Sequence, residues 1–360
     1  MTGPGADGAL IEDFDGIVCD LDGVIYRGHE AVPYAVESLL SALSAGVLVV
    51  YATNNASRAP AEVAAHLDDL GLPGPGSRVV TSAQAGARYL AQRCPRGSRV
   101  LAVGGPGVSL ALQESGLLPF SAQAVSAQTT PSDQRLVAVL QGYGAQVSWT
   151  DLAEAAYAVQ AGALWVATNT DSTLPTDRGM APGNGALVGA VRQAVNVDPV
   201  VVGKPNTPLY ELSVSVLGTS IGRTLAIGDR LDTDIMGATA AGMDSLFVFG
   251  GVHRWVDVVG AAQTARPRYV ATDLRSLHLA YAEPVQDVQD PSRWVCGEAQ
   301  AWVSAHGDLV VSQTGVLNER LRAALAVLWH AGDVRGRPMD PRGGDGAGLS
   351  DELDLAVAHH

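Results

Sequence analysis

Short, largely apolar runs recur along the chain, and several end abruptly in small polar or charged residues. Residues 17–19, 47–52, 99–104, 136–142, 164–168, 200–202, 225–228, 246–249 and 269–271 read this way. Runs of this length, without alternation, predict strands buried on both faces, as in a parallel sheet sandwiched by helices. Between them lie stretches with helical spacing. One covers residues 32–45 and stops at Gly46. Another covers 60–70, with Pro60 in its first turn and Gly71 at its end. The alternation predicts an α/β fold built on a Rossmann-like, doubly wound parallel sheet.

Beyond Pro284 the texture changes. Residues 294–296, 301–304 and 309–312 read as short antiparallel strands, and Leu317, Leu321, Leu325 and Leu328 recur at helical spacing. This predicts a small C-terminal ββα-like α+β appendage over 285–334. From 335 to 360 the chain is rich in Gly, Pro and Asp and is expected to be disordered.

In open α/β sheets, ligands bind at the carboxyl ends of strands, so the residues that end the apolar runs are the candidates for chemistry. The first run ends in Asp20, Leu21, Asp22 and Gly23; the second in Thr53, Asn54 and Asn55. The run at 200–202 precedes Gly203 and Lys204, and the run at 225–228 leads into Asp229, Asp232 and Asp234. Asp20 and Asp22, two apart, leave an extended strand on the same side. Carboxylates so close repel unless a divalent cation offsets their charge. An upstream Asp13-Phe14-Asp15-Gly16 imitates the pattern, but no apolar run leads into it. Gly104, Gly105, Pro106 and Gly107 lack the lysine and hydroxyl residue of a P-loop and read as a turn.

Composition narrows the field. A net charge of −14 argues against nucleic acid or an anionic membrane as partner. No apolar run approaches the ~20 residues that span a bilayer, and the first residues lack the basic and apolar regions of a signal peptide. The 3 cysteines, Cys19, Cys94 and Cys296, have no metal-type spacing and suit a reducing cytoplasm. Of the 23 basic residues only one, Lys204, is lysine. A chain that otherwise uses arginine keeps one compact ammonium, which suits a tight site where a broad guanidinium does not fit.

Taken together, the strand ends carry two adjacent carboxylates, a hydroxyl, an ammonium and an acid cluster, the parts that phosphoryl transfer needs. In this combination the chain resembles the haloacid dehalogenase superfamily, in the branch with a class IIA cap: DLDGV, YATNN, GKP and GDRLDTD match its four motifs in order. The resemblance covers roughly residues 10–280. It implies a core of residues 10–80 and 196–284, and an inserted α/β cap over 81–195. It also implies a phosphatase in which Asp20 is the nucleophile that becomes an aspartyl-phosphate. Asp22 is the general acid and base, and Thr53 and Lys204 hold the phosphoryl group. By the same resemblance Mg²⁺ is bound by Asp20, the Asp22 carbonyl and Asp229, with Asp234 behind them. TNNASR, ATNTD and PGNG are most similar to the actinobacterial glycerol 3-phosphate phosphatases. Asn54, Asn55, Asn169 and Asp171 are therefore the candidates for contact with a small phosphate ester. Glycerol 3-phosphate is therefore the expected substrate, but where many relatives carry an acid after the strand at 136–142 this chain has Gly142, Tyr143 and Gly144, which keeps phosphoglycolate, a sugar phosphate or a nucleotide monophosphate as alternatives. A phospho-accepting regulatory or inactive binding protein is the alternative of a different class. Neither nucleic acid nor membrane is expected as partner, and a homodimer is expected to form through the cap.

Overall fold

The computed structural model describes residues 8–72, 78–126, 135–176 and 178–358, and the fold falls into two units. One comprises the chain up to Val49 and from Thr219 onward; the other runs from Val50 to Gly218.

In the first unit, strand Gly16–Cys19 pairs in parallel with Thr224–Gly228, which pairs with Asp244–Val248, which pairs with Tyr269–Ala271. All four residues of Gly16–Cys19 are buried, as its unbroken apolar character requires. The register sets Cys19 opposite Ile227, so the residues that follow, Asp20 and Asp229, emerge at the same carboxyl end.

The C-terminal segment joins this unit. Four antiparallel strands, Val285–Gln286, Arg293–Cys296, Ala299–Val303 and Leu309–Val311, carry helix Leu317–Arg335 against them. The appendage is not a separate body: Cys296, Ala301, Leu321 and Leu325 share one apolar core with Phe247, Trp255 and Val258. The expectation of a disordered tail is corrected here. Residues Gly346–Ala358 form a helix, and Leu349 and Leu353, at 3% and 2% exposure, are buried in the same core. One turn of spacing between two leucines suffices to dock it, whatever its Gly- and Asp-rich flank suggests. His359 and His360 lie outside the described residues.

In the second unit, Tyr51, Ala52 and Thr53 of strand Leu48–Thr53 pair in parallel with Val79–Thr81. A five-stranded parallel sheet follows, in the order Val200–Val201, Leu164–Ala167, Ala138–Gln141, Arg99–Val103 and Leu118–Phe120. Helix Trp149–Gln160 and helix Asn184–Arg192 close over it through Ala155, Ala156, Val159, Val188 and Val191. The strand before Lys204 thus belongs to this sheet, whereas the sequence reading assigns residues from 196 onward to the core. A pair of valines is too short to reveal which sheet it extends.

Candidate active site

In the first unit, Asp20 is half-buried, and its N–H donates to Ile227 O across the strand pair at 2.9 Å. Past Asp22 the backbone reverses at Gly23, whose φ of 85° is a left-handed conformation that favours glycine. Gly23 N–H donates to Tyr26 O at 2.9 Å. Asp22 is exposed and lies in this turn. Asp229, 1% exposed, accepts the Val252 N–H on Oδ2 at 2.8 Å. A Cβ on Gly23 or on Gly251 would overlap its carboxylate; the backbone closes around this acid so tightly that only glycine fits. Asp234, 3% exposed, accepts the Arg230 N–H at 3.1 Å. It sits in a widened turn in which Ile235 N–H reaches Arg230 O, five residues back, at 3.1 Å; such turns concentrate at functional sites.

These elements bring Asp20, Asp229 and Asp234 together: one carboxylate oxygen from each lies within 4.8 Å of the others. The donors are all hard oxygens held on fixed backbone, which fits a cation such as Mg²⁺ and suits neither the thiolate nor the imidazole chemistry of structural zinc. Asp232 stands apart. It pairs with Arg230 at 2.8 Å. Partial burial pushes its carboxyl up, but the hydrogen bonds and charge of Arg230 outweigh this and hold it below the usual carboxylate range. The upstream imitation is a surface pair, Asp15 with Arg223 at 2.8 Å.

In the second unit a polar network centres on Asn54. Its side chain reads both backbone groups of Lys204, accepting the N–H at 2.8 Å and donating to the carbonyl at 3.1 Å. It also donates to Asp171 Oδ2 at 3.3 Å. The Asn54 carbonyl accepts from Asn169 Nδ2 at 2.7 Å and from Ser82 Oγ at 2.6 Å. Thr53 and Lys204 are each 4% exposed, and Thr53 Oγ1 accepts the Asn55 N–H at 3.0 Å. Asn55 Oδ1 in turn accepts from Ser57 N–H at 2.9 Å. Asn184 Nδ2 donates to Asn169 O at 2.7 Å, and a Cβ on Gly183 would collide with the Asp171 carbonyl. The two segments singled out in the sequence, 169–171 and 182–185, are therefore stitched to each other and to the strand end at Asn54. Ser82 belongs to this framework, and Gly251 to the wall around Asp229 in the first unit; neither carried a signal in the sequence, because each meets atoms far along the chain.

A parallel α/β sheet with oxygen-only acids at paired strand tips, following DLDG, defines a hydrolase of one particular kind. The chain belongs to the haloacid dehalogenase-like hydrolases: the profile of that family matches residues 17–118, and the profile described as HAD-hydrolase-like matches residues 201–277. Within the family it is a phosphatase. It is 40% identical over 342 residues to the D-glycerol 3-phosphate phosphatase of Mycobacterium tuberculosis, covering 94% of this chain and 92% of that protein. It is 34% identical over 242 residues to the 5′-nucleotidase YutF of Bacillus subtilis, covering 67% and 90%. Among solved structures it is similar to a glycerol phosphate phosphatase from Mycobacterium tuberculosis in complex with magnesium. The TM-score is 0.78 and the identity 38%, over 97% of this chain and 99% of that one.

Proposed function

We propose that the chain is a Mg²⁺-dependent phosphomonoester hydrolase acting on glycerol 3-phosphate or a close three-carbon ester. Asp20 attacks phosphorus and the ester P–O bond breaks, leaving an aspartyl-phosphate. Asp22 gives its proton to the departing alkoxide, then takes one from the water that opens the acyl-phosphate. Thr53 and Lys204 hold the phosphoryl oxygens. Asp20, the Asp22 carbonyl and Asp229 hold the metal, with Asp234 behind them; the cation supplies charge neutralisation at the phosphoryl group. Residues 81–195 are read as the cap that selects the alcohol and mediates self-association. The cytoplasm is the compartment that suits 3 free thiols; among the described residues no helix is long and apolar enough to cross a membrane.

The observation that carries this reading is the convergence of Asp20, Asp229 and Asp234 carboxylate oxygens within 4.8 Å. Phosphate release by the full chain from a panel of small esters tests it. Glycerol 3-phosphate should lead the panel, EDTA should stop release, Mg²⁺ should restore it, and Asp20→Asn should abolish it. Turnover that survives exhaustive chelation, or a nucleotide monophosphate as the best substrate, would overturn the corresponding part.

A further inference from the structure

The C-terminal part of the first unit contains a cleft of about 380 Å³, within the range of small-molecule sites. Its lining includes Tyr281, Trp294, Trp329, Leu325, His330 and Arg322. Arg322 is the unusual member. It is 6% exposed; Nε donates to Val270 O at 3.0 Å, and its guanidinium carbon lies 3.7 Å from the centre of the Tyr281 ring. Its two terminal nitrogens have no hydrogen-bond or ion-pair partner among the described residues.

The acids that line the cleft are already committed. Glu283 pairs with Arg268 at 2.6 Å, and Asp333 pairs with Arg266 at 2.7 Å. Two residues earlier on the same helix, Arg320 does have a carboxylate, Glu352. A buried cation without a counter-ion is costly, and contact with an aromatic face offsets only part of that cost. Neither packing nor the single Nε bond to Val270 O requires the charge, because a neutral glutamine could fill much of the volume and donate one hydrogen bond.

We propose that this cleft binds a small organic carboxylate bearing a flat ring, with the carboxylate end-on against the free edge of Arg322 and the ring against Trp294 and Trp329. An arginine edge matches a carboxylate with two parallel hydrogen bonds, and tryptophan walls favour a flat apolar body. One unmatched positive charge fits a monoanion. A phosphate monoester, carrying about −1.5 to −2 charges, would bring excess negative charge beside Glu283 and Asp333. The site is independent of the phosphatase reading, since none of its residues belongs to the catalytic set.

Calorimetry on the full chain with 4-nitrobenzoate tests this. Saturable binding with a Kd of roughly millimolar or tighter is expected. The neutral 4-nitrobenzamide and the dianion phenylphosphonate should bind at least about tenfold more weakly. Arg322→Met should lose the 4-nitrobenzoate affinity by at least about tenfold while phosphate release is unchanged. Should that variant not fold, Trp294→Ala, on a half-exposed strand position, should weaken binding in a folded protein. No saturable heat with the wild-type chain, equal binding of the amide, or undiminished binding in the folded variants would overturn the proposal.

Discussion

Lys204 shows how a single residue is held for a task. Its backbone is gripped at both N–H and carbonyl by the Asn54 amide, and its side chain is buried. A compact ammonium on a fixed backbone can be aimed; a guanidinium in the same space must spread over a plane. Lys204→Arg keeps the charge and should nevertheless lower kcat on the order of 10²–10³-fold, the usual worth of one donor at a developing charge. The thermal midpoint should move only a few degrees, as for a modest overpacking. A fully active arginine variant would mean that Lys204 is retained for no catalytic reason. Asp22 offers a complementary test. It is exposed where Asp20 is half-buried, as suits a group that trades protons with a departing alkoxide and an incoming water. Asp22→Asn should lose about 10²–10⁴-fold in turnover, with acyl-phosphate accumulating on Asp20. A mild loss equal to that of Asp20→Asn would remove the division of labour between them.

Among the elements, the C-terminal helix Gly346–Ala358 makes the sharpest claim. Leu353, buried in the core shared with Trp255 and Leu309, should cost about 2–5 kcal/mol when changed to alanine. Urea denaturation would read this directly, and a change within about 0.5 kcal/mol, typical of the surface, would indicate a tail that does not dock. Cys296 reports on the same core. Burial pushes its thiol up to about 11, and it donates to Ala282 O at 3.1 Å. At pH 8 it should therefore stay protonated and unreactive to a disulfide reagent until the unit unfolds. What was legible in the sequence at this scale follows from physics. Strands buried on both faces are apolar without interruption, so the ends at Asp20, Thr53 and Asp229 stand out as sudden polarity. The docked helix did not stand out, because two leucines one turn apart leave little trace among glycines and aspartates. The sheet that takes up Val200–Val201 was equally hidden, since pairing partners of a two-residue strand are settled by tertiary contacts. Ser82 was invisible for a related reason: it donates to a carbonyl 28 residues away, and no local pattern encodes such a bond.

At the scale of the whole molecule, the acids that suit a metal lie on one unit, while the hydroxyl, the ammonium and the Asn54 network lie on the other. The motifs proposed to handle phosphate say nothing of the alcohol, so substrate choice should rest with residues such as Asp171 in the segment proposed as the cap. The structure gives Asp171 a second tie, because its Oδ2 accepts from the same Asn54 amide that holds the Lys204 backbone. Two outcomes are therefore distinguishable for Asp171→Ala. If Asp171 binds the polyol, the variant should raise KM for glycerol 3-phosphate by about tenfold or more, the loss of a hydrogen bond from a charged group, and leave p-nitrophenyl phosphate almost unaffected. If it only steadies Asn54, both substrates should lose kcat together, because Lys204 would shift for each. Steady-state kinetics on the two esters, side by side, separates the cases. We expect the first: Asp171 is only half-buried, its contact at 3.3 Å is the longest of those Asn54 makes, and Asn54 keeps its two bonds to Lys204 without it. Equal losses on both esters would place substrate choice elsewhere in the proposed cap and make Asp171 part of the phosphate grip.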